Sequence, residues 1–230
     1  MKKAAFIPIF FLIAFNTNAQ SIQIGMGIGS TIVTGHDFYT NDLSSYFYQQ
    51  YFASPYGEVY GLGFNSGYNL NIKARLFIKN IPFNLYSDVC LNRLIGKGTV
   101  HVMTSPVSSW LPLNQKSESK CNLINGCIGA EYQILKEGVI PFLSGGIVLS
   151  HIGDVRIKTV EDENVNYDFT AIGGGMRYGL EFGIGFYCKF IKNMLVDVSS
   201  RYSMNNLSGR ESSEEKINTI RTNINFLYEL

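Results

Sequence analysis

Three histidines, four cysteines and a scatter of acids are the side chains of this 230-residue chain with the most chemistry to offer. A nucleophile needs its base within hydrogen-bond reach and a third group to orient that base. His101 has Ser105 four residues on, and His151 follows Ser150; neither spacing specifies such a set, and His36 has none nearby. These histidines read as solvated side chains in or beside loops, and no catalytic residue is assigned. Glu161-Asp-Glu163, with Asp154 and Asp168 near, could help hold a divalent cation. A calcium loop needs fixed ligand spacing and a turn glycine, so the run reads as a solvated loop. Gly25-Met-Gly27-Ile-Gly29 lacks the third glycine spacing and the following helix of a nucleotide-binding loop. No metal and no cofactor is expected.

The cysteines are too few for a disulfide-built scaffold. Cys121 and Cys127 would lie roughly 20 Å apart along one strand, beyond bridging distance. A cross-strand Cys90–Cys127 pair stays open beside the alternative of free buried thiols, and Cys188 has no evident partner.

The other reactive groups are charges, and these fall on one parity of alternating segments. At the C-terminus Ile220, Thr222, Ile224, Phe226, Tyr228 and Leu230 alternate with Arg221, Asn223, Asn225, Leu227 and Glu229. Side chains alternate across a strand, so one face is apolar and the other polar. The same division sets Tyr60, Leu62, Phe64, Tyr68, Leu70, Ile72 and Leu76 against glycines, asparagines, Lys73 and Arg75. Further segments place Asp88, Glu131, Arg177, Glu181, Lys189, Asp197, Arg201 and Glu229 on the polar parity. Both signs are present in near balance. If that parity faces a narrow interior, the charges must pair or become neutral. An interlocking salt-bridge plug is the expectation; a small gated pore or proton path is the alternative.

The segments that must position these charges number eight. They run through Ile22–Ile28, 60–76, 83–94, 120–134, 140–152, 169–190, 196–204 and 220–230. The fifth alternates poorly, with Phe142 and Val148 opposed to Leu143, Ile147 and Leu149, so a bulge is expected near Gly145-Gly146. Connections at about 77–81, 136–139 and 191–194 are short, whereas those at 33–56, 95–118, 153–168 and 207–215 are long. Alternating short turns and long loops is the layout of a membrane barrel with apolar residues outward. The first segment closes against the last.

Met1-Lys-Lys, the apolar run from Ala4 to Phe15 and the Thr17/Ala19 exit have the form of a secretory signal peptide. The run falls well short of the roughly 20 residues a spanning helix needs. Residues 1–19 are taken as a cleaved signal peptide and 20–230 as one domain. Losing Lys2 and Lys3 takes the formal charge of +1 down to −1. Without a basic excess to neutralise phosphates, nucleic acid is not an expected partner.

Two loops carry unusual aromatic content: Phe38, Tyr39, Tyr46, Phe47, Tyr48, Tyr51, Phe52 and Tyr56 in the first, Trp110 in the second. Part of this set suits the interfacial girdle. A contact surface for a partner protein, glycan or hydrophobic solute is the sharper reading.

The signal peptide, the short–long alternation, the Gly-rich aromatic strands, Ile81-Pro-Phe83, Gly183-Ile-Gly-Phe186 and Arg201-Tyr202 together resemble a known family. It is that of the small eight-stranded outer-membrane barrels, OmpA-, OmpX- and OmpW-like, and the outer membrane protein beta-barrel domain common in Bacteroidetes. The resemblance implies an all-β fold: an eight-stranded antiparallel up-and-down transmembrane barrel in the outer membrane of a Gram-negative cell. It implies outer-membrane lipid and the barrel assembly machinery as partners, with Phe226, Tyr228 and Leu230 as assembly signal. Members usually end in Phe or Tyr, where this chain has Leu230. No peptidoglycan-binding domain is expected after the barrel. A non-enzymatic envelope or surface-interaction role follows from the resemblance, with an OmpW-like conduit for a small hydrophobic molecule as the alternative. A lipid-modifying barrel enzyme is a third class, although the His-x-Ser arrangement of the deacylase barrels is lacking.

Overall fold

The computed structural model describes residues 19–49, 56–78, 81–104, 113–135, 138–159, 168–172, 174–210 and 214–230. The residues before Ala19, expected to form a signal peptide, the run Glu161-Asp-Glu163, Tyr51, Phe52 and Trp110 lie outside them. Eight long strands follow from the alternating segments: β1 (Ala19–Gly35), β4 (Phe64–Ile78), β5 (Phe83–Thr104), β6 (Leu113–Gln133), β7 (Ile140–Ile152), β10 (Gly175–Ile191), β11 (Met194–Ser208) and β12 (Ile217–Glu229). Each pairs antiparallel with the next, and β1 pairs with both β4 and β12, so the ladder closes into a ring. The closing seam sets Ile24 against Tyr228, Met26 against Phe226 and Ile28 against Ile224. It is the seam expected from sequence. Among the described residues no helix is long and apolar enough to cross a membrane.

Glycines on the inner parity of β1 let the seam close around a filled interior. A Cβ at Gly27 would stand 2.5 Å from the Ile224 carbonyl oxygen and 2.7 Å from Asn71 Oδ1. At Gly126, on the outer parity of β6, it would meet only the Leu149 carbonyl oxygen at 3.9 Å. Gly27→Val is therefore expected to lose most of the folded, faster-migrating species on an unboiled gel, while Gly126→Ala keeps it. Equal folded fractions for the two would refute the seam packing.

Four shorter strands and one helical turn arise where loops were expected. After β1 come α1 (Asp37–Thr40), β2 (Leu43–Gln49) and β3 (Tyr56–Gly61); β8 (Val155–Thr159) and β9 (Asp168–Ile172) lie between β7 and β10. The ring strands β5 and β6 also stay paired up to Val102 and Leu113, well past the predicted ends of both. β2 lies parallel to the extension of β5, and β8 lies antiparallel to that of β6. With β3 and β9 outside them, these form a six-stranded sheet standing above one wall of the ring. The predicted strand 169–190 is thus divided: Asp168–Ile172 belongs to the hairpin with β8, and only β10 belongs to the ring.

The expected bulge in β7 is not formed. Gly145 and Gly146 keep unbroken register with both neighbours. The poor alternation has another cause: Phe142 and Val148 face inward and fill the interior, while Leu143 and Ile147 face out.

One pattern on β5 and β6 organises the whole molecule. Along most of β5 the outward residues are apolar (Phe83, Leu85, Val89, Leu91), and the inward ones include Asn84, Asp88 and Asn92. Beyond Asn92 the order reverses: Leu94 and Val100 are buried inside, while Arg93 and Lys97 point out. On β6 the same reversal separates outward Ile124 from outward Asn122 and Lys120, with Leu123 and Cys121 buried behind them. The amphipathicity inverts at one height.

Candidate functional site

Among the described residues the buried charged groups converge in the interior. Its middle holds four cations and four acids, drawn from six strands: Lys73 and Arg75 on β4, Asp88 on β5, Glu131 on β6, Glu181 on β10, Asp197 and Arg201 on β11, and Arg221 on β12. All eight are buried. Strand alternation explains why: each lies on the inner parity, and successive strands bring them to similar height.

Lys73 Nζ donates to Glu131 Oε1 at 2.6 Å and to Asp197 Oδ2 at 2.7 Å. Arg75 donates through Nε to Glu131 Oε2 at 2.6 Å, and also to Asp197. Arg201 is the hub, reaching Asp88 Oδ2 at 2.9 Å, Glu181 Oε1 at 3.0 Å and Glu131 Oε1 at 3.2 Å. Arg221 pairs with Glu181, and Ser203 Oγ donates to Glu181 Oε2 at 2.7 Å. Asn225 Nδ2 donates to Asp197 Oδ1 at 3.1 Å. Charges taken out of water persist only when paired and hydrogen-bonded, and here the counts of the two signs match. Aromatic rings complete the packing: Arg201 lies 4.4 Å from the Tyr86 ring centre and Arg75 lies 4.4 Å from that of Tyr187.

Asp88, Cys127 and Glu181 bring ligand atoms within 4.8 Å of one another. The guanidinium groups of Arg201 and Arg221 both reach these two carboxylates, so their charge is balanced by protein side chains.

Above and below this layer the interior changes character. Toward the short turns Phe142, Tyr187, Leu195 and Leu227 form an apolar floor. Toward the long loops comes a layer of neutral hydrogen bonds. Thr31 Oγ1 donates to Asn92 Oδ1 at 2.8 Å, Asn125 Nδ2 to Asn205 Oδ1 at 3.0 Å, and Asn205 Nδ2 to Thr219 Oγ1 at 3.0 Å. An apolar cap closes the mouth, built from Val33, Tyr39, Leu43, Leu62, Phe64 and Leu94 with the inner face of the protruding sheet.

Three charges expected in the same network lie elsewhere. Arg177 is at the loop end, 2.6 Å from Glu214, tying β10 to the segment before β12. Lys189 and Glu229 are 3.6 Å apart at the opposite rim, where Lys189 is 65% exposed. Of the expected aromatic surface, Tyr39 is a correction: only 4% exposed, it is part of the cap, and its hydroxyl donates to the Glu215 carbonyl at 3.3 Å. Phe38 packs half-buried on the same cap, edge-on to Tyr39. Tyr46, Phe47 and Tyr48 lie on β2 and Tyr56 begins β3. Phe226, Tyr228 and Leu230 are exposed on the outside, and the Leu230 amide donates to the Ile22 carbonyl at 2.9 Å.

The histidines are not brought together. His36 caps α1 and lies 3.7 Å from Glu215, His101 pairs in register with Asn114 and Tyr46, and His151 pairs with Ile124 and Met176. All four cysteines are free, with Cys90, Cys121 and Cys127 buried; Cys90 pairs in register with Asn125 rather than with Cys127. Sequence reasoning passed over the cap and the floor. Their signal was present in Leu94, Cys121, Leu123, Ile152 and Leu227, apolar residues on a parity otherwise polar.

No family model and no curated protein matches the chain. Among solved structures, Neisserial surface protein A matches with a TM-score of 0.51 at 11% identity, over 93% of this chain and 99% of that one. Ail, the attachment invasion locus protein of Yersinia pestis, solved with the heparin analogue sucrose octasulfate, gives a TM-score of 0.45 at 12% identity, over 90% and 98%. The outer membrane protease OmpT of Escherichia coli gives 0.44 at 9% identity, over 93% and 98%. Likeness at such identities is one of fold: the chain is an antiparallel β-barrel built like Neisserial surface protein A.

Proposed function

We propose that this protein is an outer-membrane barrel with a sealed interior, of the OmpA-, OmpX- and OmpW-like kind, acting without catalysis through its loop end. The observation that carries the reading is the inversion on β5 and β6. Below it the apolar side chains face outward, as a hydrocarbon solvent requires. Above it they face inward, as water requires. The loop end, with its capped mouth and protruding sheet, is then the outer surface, and the short turns face the periplasm. Export by residues 1–19, assembly through the strand ending in Tyr228 and Leu230, and a role in envelope integrity or surface contact belong to the same proposal.

The filled interior weighs against the conduit reading. Floor, ionic layer, neutral layer and cap follow one another along the axis, and a small barrel has width only for side chains. In planar bilayers the refolded protein is expected to show no unitary conductance above the bare membrane. Steady openings in purified wild-type protein would overturn the sealed interior. On gels, a heat-dependent mobility shift together with recovery in the membrane fraction is expected; an unshifted, soluble protein would overturn the membrane reading itself.

A further inference from the structure

Cations outside the barrel are distributed unevenly. At the loop end Arg93, Lys97, Lys116, Lys120, Arg156 and Lys158 all lie on the outward parity of β5, β6 and β8, one continuous wall. Elsewhere on the exterior of that end only Arg210 and Lys216 are found. The wall opposite, at the same height, carries Ser30, Ile32, Asn218, Met204 and Tyr178. Among the described residues four acids belong to the same region, Asp42 sharing a recess with Lys97 and Lys116. Glu118 is bound to Lys120 at 2.7 Å, Asp154 accepts the Gly174 amide at 2.7 Å, and Asp168 is the register partner of Lys158. Among the described residues the wall keeps a positive excess, on a chain whose total charge is close to zero.

Its height is as informative as its sign. Arg93 pairs in register with Tyr68 and Asn122, one outward row beyond Leu91 and Ile124. Two residues of strand put it about 7 Å past the Leu91–Ile124 row. Lys120 and Arg156 are register partners one row further out, and Arg93, Lys120, Arg156 and Lys158 line a common depression with Asn122 and one carboxylate, Asp154. Arg93 Nη1 donates to Asn122 Oδ1 at 2.6 Å, which ties the guanidinium to the neighbouring strand. Long cationic stems of this kind cover apolar surface and keep their heads at the headgroup level.

We infer that this wall binds the phosphate groups of an anionic lipid, whose acyl chains lie on the adjoining Leu91–Ile124 surface. The inference rests on the membrane reading above. A soluble anion could meet the charges, but only a lipid meets the charges and the apolar rows together. Guanidinium groups suit phosphate because they present paired donors.

The test uses the full mature chain in nanodiscs of neutral phosphatidylcholine, titrated with phosphatidic acid or with diacylglycerol of the same acyl chains. The wild type is expected to retain phosphatidic acid at least tenfold more tightly than diacylglycerol. Each cation near an anionic lipid is worth roughly fivefold, so Arg93→Gln/Lys120→Gln/Arg156→Gln is expected to lose on the order of a hundredfold. The control Arg210→Gln/Lys216→Gln keeps wild-type affinity within about twofold. All these residues lie outside the packed interior, and an unchanged heat-dependent gel shift verifies the fold of each variant. Equal losses in the two variants, or no preference for phosphate over its absence, would overturn the inference while leaving the barrel in its membrane. So would sucrose octasulfate displacing the lipid from the wild type at equal concentration, since that marks a site for soluble polyanions. Failure of the wild type to enter nanodiscs at all would take down both readings.

Discussion

Arg201→Met is expected to destabilise the folded barrel by about 3–5 kcal/mol, the cost of removing one partner from a buried ion cluster. Arg201 alone among the four cations touches three acids, Asp88, Glu131 and Glu181. Without it four carboxylates face three cations, and Asp88 retains only Arg221, 3.8 Å away. Methionine fills space beside Tyr86 but donates nothing. Equilibrium unfolding in urea, with the protein refolded into phospholipid vesicles, measures the loss. The second variant, Arg201→Met/Asp88→Asn, restores equal numbers of the two signs and is expected to regain more than half of the stability. That recovery is the informative part, because a cavity effect would not be relieved by changing Asp88. Arg201→Lys is expected to fall between, since one ammonium cannot reproduce the planar fork toward three acids. A loss below about 1 kcal/mol for Arg201→Met, the size typical of exposed pairs, would mean the cluster is hydrated rather than sealed.

Ile147→Arg is expected to cost about 2–4 kcal/mol in the same assay, the penalty for a cation at the midplane of a lipid-facing wall. Ile147 is two-thirds exposed, faces outward on β7, and shares its row with Ile128 and Leu180. Ile147 belongs to none of the interior clusters, so the penalty belongs mainly to the solvent outside. Thr99→Arg, on the outward parity of β5 above the inversion, is expected to cost no more than about 1 kcal/mol. Equal and small effects at the two positions would mean that water surrounds both, and the outer-membrane reading would fall.

The ring of eight strands was legible because alternation is a local property: Ile24, Met26 and Ile28 against Gly25 and Gly27 specify a face without knowledge of any partner. Even the seam could be anticipated, since a closed sheet must join its first and last strands. The central charges were legible for the same reason, as Lys73, Arg75, Asp88, Glu131 and Arg201 lie on a parity that excludes lipid. Their mutual pairing was not, because it depends on how strands stagger around the ring. The cap was hidden by a change of solvent along the chain. Val33, Val100, Val155 and Ile157 were read as loop residues because the rule that worked below, apolar outward, fails above the inversion. Tyr39 was misplaced by the same cause. The β7 bulge failed because an inward Phe142 and Val148 look like broken alternation until the interior is known to have an apolar floor.

In the membrane placement proposed above, the reversal between Leu91 and Arg93 also works as a depth gauge. Sliding the barrel inward by one row would drag Arg93 and Asn122 into hydrocarbon; sliding it outward would strand Leu91 and Ile124 in water. From Phe83 to Leu91 the outward band covers eight steps of strand, which at the usual tilt spans about 20 Å of membrane. A barrel fitted so tightly to one hydrocarbon thickness discriminates between membranes, because each ångström of mismatch carries a cost. In that placement the barrel is matched to a thin bilayer and penalised in a thick one, a form of address written in the strands themselves.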